Sequence, residues 1–85
     1  MTVRVLYFAS LREKLGRDSE EFELPAGVAT IAALRAHLRS RGGAWAEALA
    51  ESRLLRAAVN QDMAQPAAAV KAGDEVAFFP PVTGG

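Results

Sequence analysis

The chain has no cysteine, a single histidine, no apolar run long enough to span a bilayer and no excess charge of either sign. Each absence removes a class of function. Without cysteine there are no disulfides, no thiolate metal sites and no cysteine nucleophile, a composition compatible with a reducing compartment. Ten basic and ten acidic residues cancel, so no global field draws the chain to nucleic acid or to an anionic membrane, and binding must be local. With no signal peptide and no membrane-spanning segment in view, a soluble, cytoplasmic protein is expected. His37 has no second metal-ligand residue type four positions away, and a lone imidazole without an orienting partner makes neither a metal site nor a general base, so a boundary or solvent position is expected. Carboxylates are scattered, serines and threonines have no neighbouring base, and no phosphate-cradling glycine loop follows a strand. No constellation here runs a reaction unaided, and no metal or cofactor site is expected on the chain itself.

What is present is a small domain. At 85 residues only about 60% of the unfolded chain's surface can be buried, and because alanine is the commonest residue the core rests on few Val, Leu, Ile, Phe and Trp side chains. Residues 2–8 alternate, placing Val3, Val5 and Tyr7 on a core face and Arg4, Leu6 and Phe8 on the other. Ser10 and Glu13 have capping-box spacing and Gly16 sits at a helix C-cap position, predicting a short helix over 11–15. A second strand is predicted over 20–25, with Phe22 and Leu24 inward and Glu21 and Glu23 outward as charges that blunt an exposed sheet edge. Thr30 is placed to cap a helix reaching about Arg41, whose Ile31, Leu34 and Leu38 form an apolar stripe. Residues 44–51 form a further short helix with Trp45 as a core plug, and residues 54–60 a third strand with Leu55, Ala57 and Val59 inward. Asn60, Gln61 and Asp62 make a turn, residues 65–69 a weakly structured connector, and the last strand turns Val76 and Phe78 inward, Ala77 and Phe79 outward. The pattern predicts an α+β, two-layer domain with a mixed sheet on one main helix; it leaves the strand order open.

Beyond Phe79 the sequence reads Pro80-Pro81-Val82-Thr83-Gly84-Gly85. Neither proline donates to a sheet ladder, so the sheet must stop there. A bland account of such an end is fraying. Against it, consecutive prolines hold the backbone extended, and six residues at roughly 3.3 Å each reach about 20 Å, enough to enter a deep pocket on another protein. Gly84 and Gly85 make the tip as thin as a polypeptide allows. Its carboxylate is ionised and a poor electrophile at neutral pH, so any chemistry there needs activation by a partner. The expected division is a domain over 1–79 and an extended tail over 80–85.

The run Gly-Asp-Glu-Val-Ala-Phe-Phe-Pro-Pro-Val-Thr-Gly-Gly over residues 73–85, with Val5-Leu6-Tyr7-Phe8-Ala9, Ala33-Leu34-Arg35 and Ala58-Val59-Asn60-Gln61, resembles the small subunits of molybdopterin synthase. A terminal Gly-Gly alone is common to ubiquitin-like carriers; the Phe-Phe-Pro-Pro-Val-x-Gly-Gly string is much more specific. Tyr7 stands where the family often has Phe, and its hydroxyl needs a partner or water. The resemblance implies a ubiquitin-like β-grasp fold with the first and last strands as parallel central neighbours. Phe8 and Phe79 would then lie at one end of the sheet, on the face away from the helix. With Met63 and Leu6 they are read as a partner-docking patch; the other reading is a minor cluster under the connector of residues 62–72.

The resemblance further implies a sulfur carrier, active only as one subunit of a heteromeric sulfurtransferase. An E1-like adenylating enzyme would use Mg-ATP to join AMP to the Gly85 carboxylate, and a sulfur donor of desulfurase or rhodanese type would convert the anhydride to a thiocarboxylate. The tail would then enter the large subunit, in a heterotetramer of two small and two large subunits, and sulfur would pass to a cyclic pyranopterin monophosphate to build the molybdopterin dithiolene. Gly85 alone changes covalently in that scheme; Val82, Thr83 and Gly84 line the tail's path, and Pro80 and Pro81 aim it. Other readings are a carrier for thiamin or another thio-cofactor pathway, a ubiquitin-like modifier of lysines, and a binding domain with an inert end.

Overall fold

A computed structural model describes residues 2–81. In chain order the elements are β1 Thr2–Tyr7, α1 Ser10–Leu15, β2 Ser19–Glu23, α2 Ile31–Arg39, α3 Ala44–Ala48, β3 Arg56–Val59, β4 Asp62–Ala64 and β5 Glu75–Phe79. The strands form one sheet in the order β2-β1-β5-β3-β4, with β1 and β5 parallel in the middle and every other pair antiparallel. The helices lie over one face, a ubiquitin-like β-grasp. Val3, Val5 and Tyr7 of β1 and Val76 and Phe78 of β5 are buried against Ile31, Leu34 and Leu38 of α2, with Leu11 from α1 and Leu49 from the end of α3 completing the core. Each such side chain contributes about 1.5–3 kcal/mol by leaving water. No described helix is long and apolar enough to cross a membrane.

Local chemistry explains most boundaries. Thr30 caps α2 as its spacing predicts, its Oγ1 accepting from the Ala33 N–H at 3.1 Å. The preceding two amides, otherwise orphaned at a helix start, are taken by the segment that the sequence suggests is loosely structured: Ile31 N–H donates to the Ala68 carbonyl and Ala32 N–H to that of Pro66. Val70 N–H donates back to the Ala29 carbonyl. Residues 65–69 are therefore strapped to α2, and a connector rich in alanine can lie that close. Helix α2 ends at Arg39, short of Arg41, with Ser40 as its C-cap.

Three further expectations need correction. Ser10 is the first residue of α1 and no side chain caps that helix; Ala9 takes the N-cap position at φ +54° and ψ −131°, a conformation that Gly43 shares at the start of α3. The Phe8 carbonyl accepts from the Leu11 N–H across that tight turn, so the helix starts one residue earlier than the capping-box spacing predicts and Ser10 lies inside it. The second error is the turn after β3, which is a two-residue hairpin: Asn60 and Gln61 both have positive φ and return the chain into β4, a strand the alternation did not betray because it is only three residues long. Strands β1, β2 and β3 and helix α3 are also shorter than their patterns suggest, with Leu55 partly buried just before β3, whereas β5 begins one residue earlier, at Glu75.

The Tyr7 hydroxyl has a partner. It donates to Glu20 Oε2 at 2.8 Å, and Arg41 grips the same carboxylate with both terminal nitrogens, at 2.8 and 2.9 Å. The Arg41 guanidinium lies 4.4 Å from the Trp45 ring centroid and 5.4 Å from that of Phe22, and Trp45 meets Tyr7 edge-on at 5.5 Å. Trp45 is only partly buried, a lid on this knot, while Ala48 and the C-cap Leu49 fill the core at the end of the helix. His37 is half-buried with its ring 6.0 Å from Phe22, the boundary position expected. The Glu20 carboxylate and the Phe22 ring together tie edge strand β2 to the C-terminal end of α2 and the residues after it.

Burial opposes ionisation of Glu20, but the Arg41 fork, the Tyr7 hydroxyl and the charge of Arg17 outweigh it and hold the carboxyl below the usual carboxylate range. A depressed folded value means that Glu20 stabilises the fold fully above its ordinary value of 4.5 and loses that contribution as pH falls through the lower, folded value. Glu20→Gln should cost about 1–3 kcal/mol at neutral pH, since it removes a charge-assisted fork and weakens the bond that satisfies a buried phenol. Thermal melts of both proteins from neutral pH downward should show the gap closing in acid below 4.5; a gap that persists unchanged would show that the carboxylate's charge contributes nothing.

Candidate functional site

The face of the sheet away from the helices carries a continuous apolar strip. The register aligns Leu6 with Ala77, Ala77 with Ala58 and Ala58 with Met63, one row across β1, β5, β3 and β4. Period-two alternation puts Phe8 and Phe79 in the next row towards the C-terminal ends of the central strands, where the Phe8 N–H donates to the Phe78 carbonyl at 3.2 Å. Phe8 is 46% exposed and Met63 61% exposed, while Leu6 and Phe79 are half-buried. The two alanines between them lie lower than their neighbours, so the strip is a shallow trough rimmed by larger side chains.

All four residues read from the sequence as a docking patch are thus on one face. The connector that would have covered them in the alternative account lies elsewhere: Ala64, Ala68 and Val70 pack into the core from the helix side. The sheet's far end is closed by polar pairing. Asn60 donates through Nδ2 to Asp74 Oδ1 at 3.1 Å and accepts from the Glu75 N–H at 3.0 Å, while Asp74 Oδ2 accepts from the Lys71 N–H at 3.0 Å. That backbone bond, helped by Asn60, keeps the Asp74 carboxyl below its usual range against the effect of burial. Gly73, at φ +94°, makes the tight turn into β5 that a side chain would strain.

Strand β5 ends at Phe79, and Pro80 and Pro81 follow half-buried, without regular structure. Pro80 borders a cleft of about 180 Å³ together with Ser10, Leu11, Lys14, Ala48, Arg53 and Leu54. The tail's first residue therefore faces α1 and the segment before β3 across this cleft. Val82, Thr83, Gly84 and Gly85, read as the path and the reactive end, lie outside the described residues. A larger cavity of about 380 Å³ opens between α2 and the β3–β4 side of the sheet, floored by Ala57 and Phe78; of the docking residues only Met63 borders it. Among the described residues no group of His, Cys, Asp or Glu is arranged to hold a metal ion.

Sequence reasoning missed Leu54, which is 81% exposed. The signal was available: Leu55 points inward by alternation, so Leu54 points out. It also missed Glu20, which shares the inward side of β2 with Phe22 and pairs with Tyr7 and Arg41.

Residues 5–85 match the ThiS family. A molybdopterin synthase sulfur carrier subunit from Haemophilus influenzae is 48% identical over 83 residues, covering 98% of this chain and 99% of that protein. Its counterpart from Escherichia coli is 47% identical with the same coverage. Among solved structures, the small archaeal modifier protein 1 of H. volcanii superposes with a TM-score of 0.74 at 26% identity, covering 95% of this chain and 98% of the other. The chain belongs to the ThiS family and, within it, to the molybdopterin synthase sulfur carrier subunits.

Proposed function

We propose that this small subunit of molybdopterin synthase works as a handle whose last residue ferries sulfur. The Gly85 carboxylate is adenylated by an E1-like partner using Mg-ATP and converted by a sulfur donor to a thiocarboxylate. Presented to the large subunit in a heterotetramer of two small and two large subunits, the thiocarboxylate gives up its sulfur to cyclic pyranopterin monophosphate. The chain supplies no catalytic side chain, binds no cofactor of its own, and acts in the cytoplasm. The domain of residues 1–79 is the part that partners grip, and residues 80–85 are the part they process.

The observation that supports this reading most is the position of β5. It is clamped between β1 and β3 and releases the chain at Pro80, beside the exposed Phe8 and half-buried Phe79. A partner that covers the apolar strip on Leu6, Phe8, Met63 and Phe79 is thereby placed at the root of the tail, so docking and delivery are one event. Covering such a strip is favourable at about 25 cal/mol per Å² of apolar surface before the costs of association. Val82 and Thr83 then line the tail's path into the partner, and Gly84 and Gly85 enter its narrowest part, where a side chain would not fit.

A second reading has one observation in its favour, the similarity to a protein described as a modifier. Isopeptide links from Gly85 to target lysines would mark that activity. A role in thiamin or another thio-cofactor pathway separates from molybdopterin synthesis by the partner: co-purification of a pyranopterin-binding large subunit marks the latter.

Gly84→Phe should abolish sulfur transfer with the far-UV circular dichroism and melting temperature unchanged; an unfolded variant would show that the tail belongs to the core. Phe79→Glu should weaken binding to the large subunit about tenfold or more, while costing about 1 kcal/mol of stability or less because the side chain is only half-buried and points outward. A loss of several kcal/mol, with binding by the folded fraction intact, would instead make Phe79 a core residue.

A further inference from the structure

The cavity of about 380 Å³ between α2 and the β3–β4 side of the sheet is separate from the tail's root, since neither Pro80 nor Pro81 borders it. Ile31, Ala57 and Phe78 floor it and are buried, with Leu55 and Ala64 partly buried at its sides. Its volume lies within the roughly 300–1,000 Å³ that small-molecule sites occupy. Hydrogen bonds fix the walls. The Ile31 and Ala32 amides hold the strap at Ala68 and Pro66 against α2, and Arg35 reaches from α2 to donate to the carbonyls of Leu49, Ala50 and Arg53. The hollow is therefore built into the fold and is not the gap under a slack loop.

Two guanidiniums and one carboxylate stand on its α2 side, from Arg35, Arg39 and Glu51. Arg35 satisfies its three carbonyls through Nε and Nη2; its Nη1 has no acceptor among the described residues and is not sealed from water. Arg39 lies 3.6 Å from Glu51, whose side chain is 85% exposed, so that pair is weak. Burial, and after it the like charge of Arg39, hold the Arg35 guanidinium below its usual range, and the attraction of Glu51 does not cancel them. With Glu51 counted, this wall is still positive. Arg56 also borders the cavity, but alternation with the inward Ala57 turns its side chain to the other face of the sheet, so the surplus does not depend on it. On the β4 side, the Gln65 side-chain amide has no partner among the described residues.

We propose that this cavity binds a small organic anion, its compact apolar body seated on Ile31, Ala57 and Phe78 and its carboxylate or phosphate head on Arg35 and Arg39. The apolar floor selects the body. The charge selects the sign, because a neutral or cationic ligand leaves the two guanidiniums uncompensated, whereas one oxyanion neutralises their surplus and suits their planar forks. The Gln65 amide offers a neutral donor and acceptor to whatever polar atom the body carries. The site stands apart from Gly85 and from the outer face of the sheet, so it adds a ligand to the domain without resting on the sulfur-carrier chemistry.

The test is a titration of the full-length, nitrogen-15-labelled chain, followed by amide chemical shifts at about 0.05 M sodium chloride. The probes are 2-naphthoate, 2-naphthyl phosphate and the neutral 2-naphthalenemethanol, which share one ring system and differ in the head. At least one anion should give saturable shifts at Leu55, Ala57, Ala64 and Gln65 and bind about tenfold or more tightly than the alcohol; the tighter of the two heads identifies the oxyanion the site prefers. Arg39→Glu should weaken that anion about tenfold or more and leave the alcohol within about twofold. Ala32→Phe, at an exposed position of α2 on the cavity wall, should block all three probes. Circular dichroism should show both variants folded, and Ala32→Leu repeats the block should the larger ring disturb the helix. No saturable shift with either anion up to about 5 mM would overturn the proposal, as would an alcohol that binds as tightly as the anions. Shifts confined to Leu6, Phe8 and Ala77 would overturn it by placing the probes on the outer face of the sheet.

Discussion

Parallel pairing of β1 with β5 is the constraint on which the rest of this small domain depends. Two parallel strands cannot be joined by a tight turn, so nearly the whole chain must be spent on the crossover between them, and α1, β2, both further helices and the β3–β4 hairpin all lie within it. Because β1 and β5 are central, each is flanked on both sides and their register is held by neighbours. That register puts Phe8 and the last residues of β5 at the same end of the sheet, and it sends Pro80 out between the sheet face and α1. A tail attached to an edge strand would have no such fixed origin.

The domain divides its labour between two faces of that sheet. On the helix side sit the core and the Tyr7, Glu20 and Arg41 knot, where a half-buried acid is compensated by a bidentate guanidinium, a phenol and two aromatic walls. This side fixes the edge strand to the helix layer and leaves no buried side-chain polar atom without a partner among the described residues. The opposite face has little to do with stability. Its middle is two alanines, and its larger residues are exposed or half-buried, so surface that contributes little to folding is free to serve recognition. Such separation lets a docking residue change without unfolding the chain, which a domain of this size could ill sustain.

Much of this was legible in the residues. Strict alternation in β1 and β5 marked their buried faces, and the Thr30 cap and the Ile31, Leu34, Leu38 stripe located α2, because those signals are local and the packing agrees with them. Strand order was not legible from pattern; it came only from the resemblance. Strand β4 escaped because three residues cannot show a period, and the hairpin before it depends on positive φ at Gln61, for which glutamine gives no warning. Ser10 and Glu13 misled because capping-box spacing is necessary and not sufficient: the turn at Ala9 decides where the helix begins. In the site, Phe8, Phe79 and Met63 were readable as outward apolar residues. That Leu54 lies beside Lys14 was not readable, since what joins them is a cleft formed by segments roughly forty residues apart in the chain.

The account turns on whether the last residue becomes the carrier of sulfur, and the intact mass of the protein isolated from its own host under non-reducing, rapid conditions addresses that directly. A fraction of the molecules should be heavier by the replacement of one oxygen with sulfur, with the change confined to the C-terminal peptide, and the fraction should vanish when the adenylating partner is removed. A single unmodified mass, unaltered by removal of that partner, would contradict it.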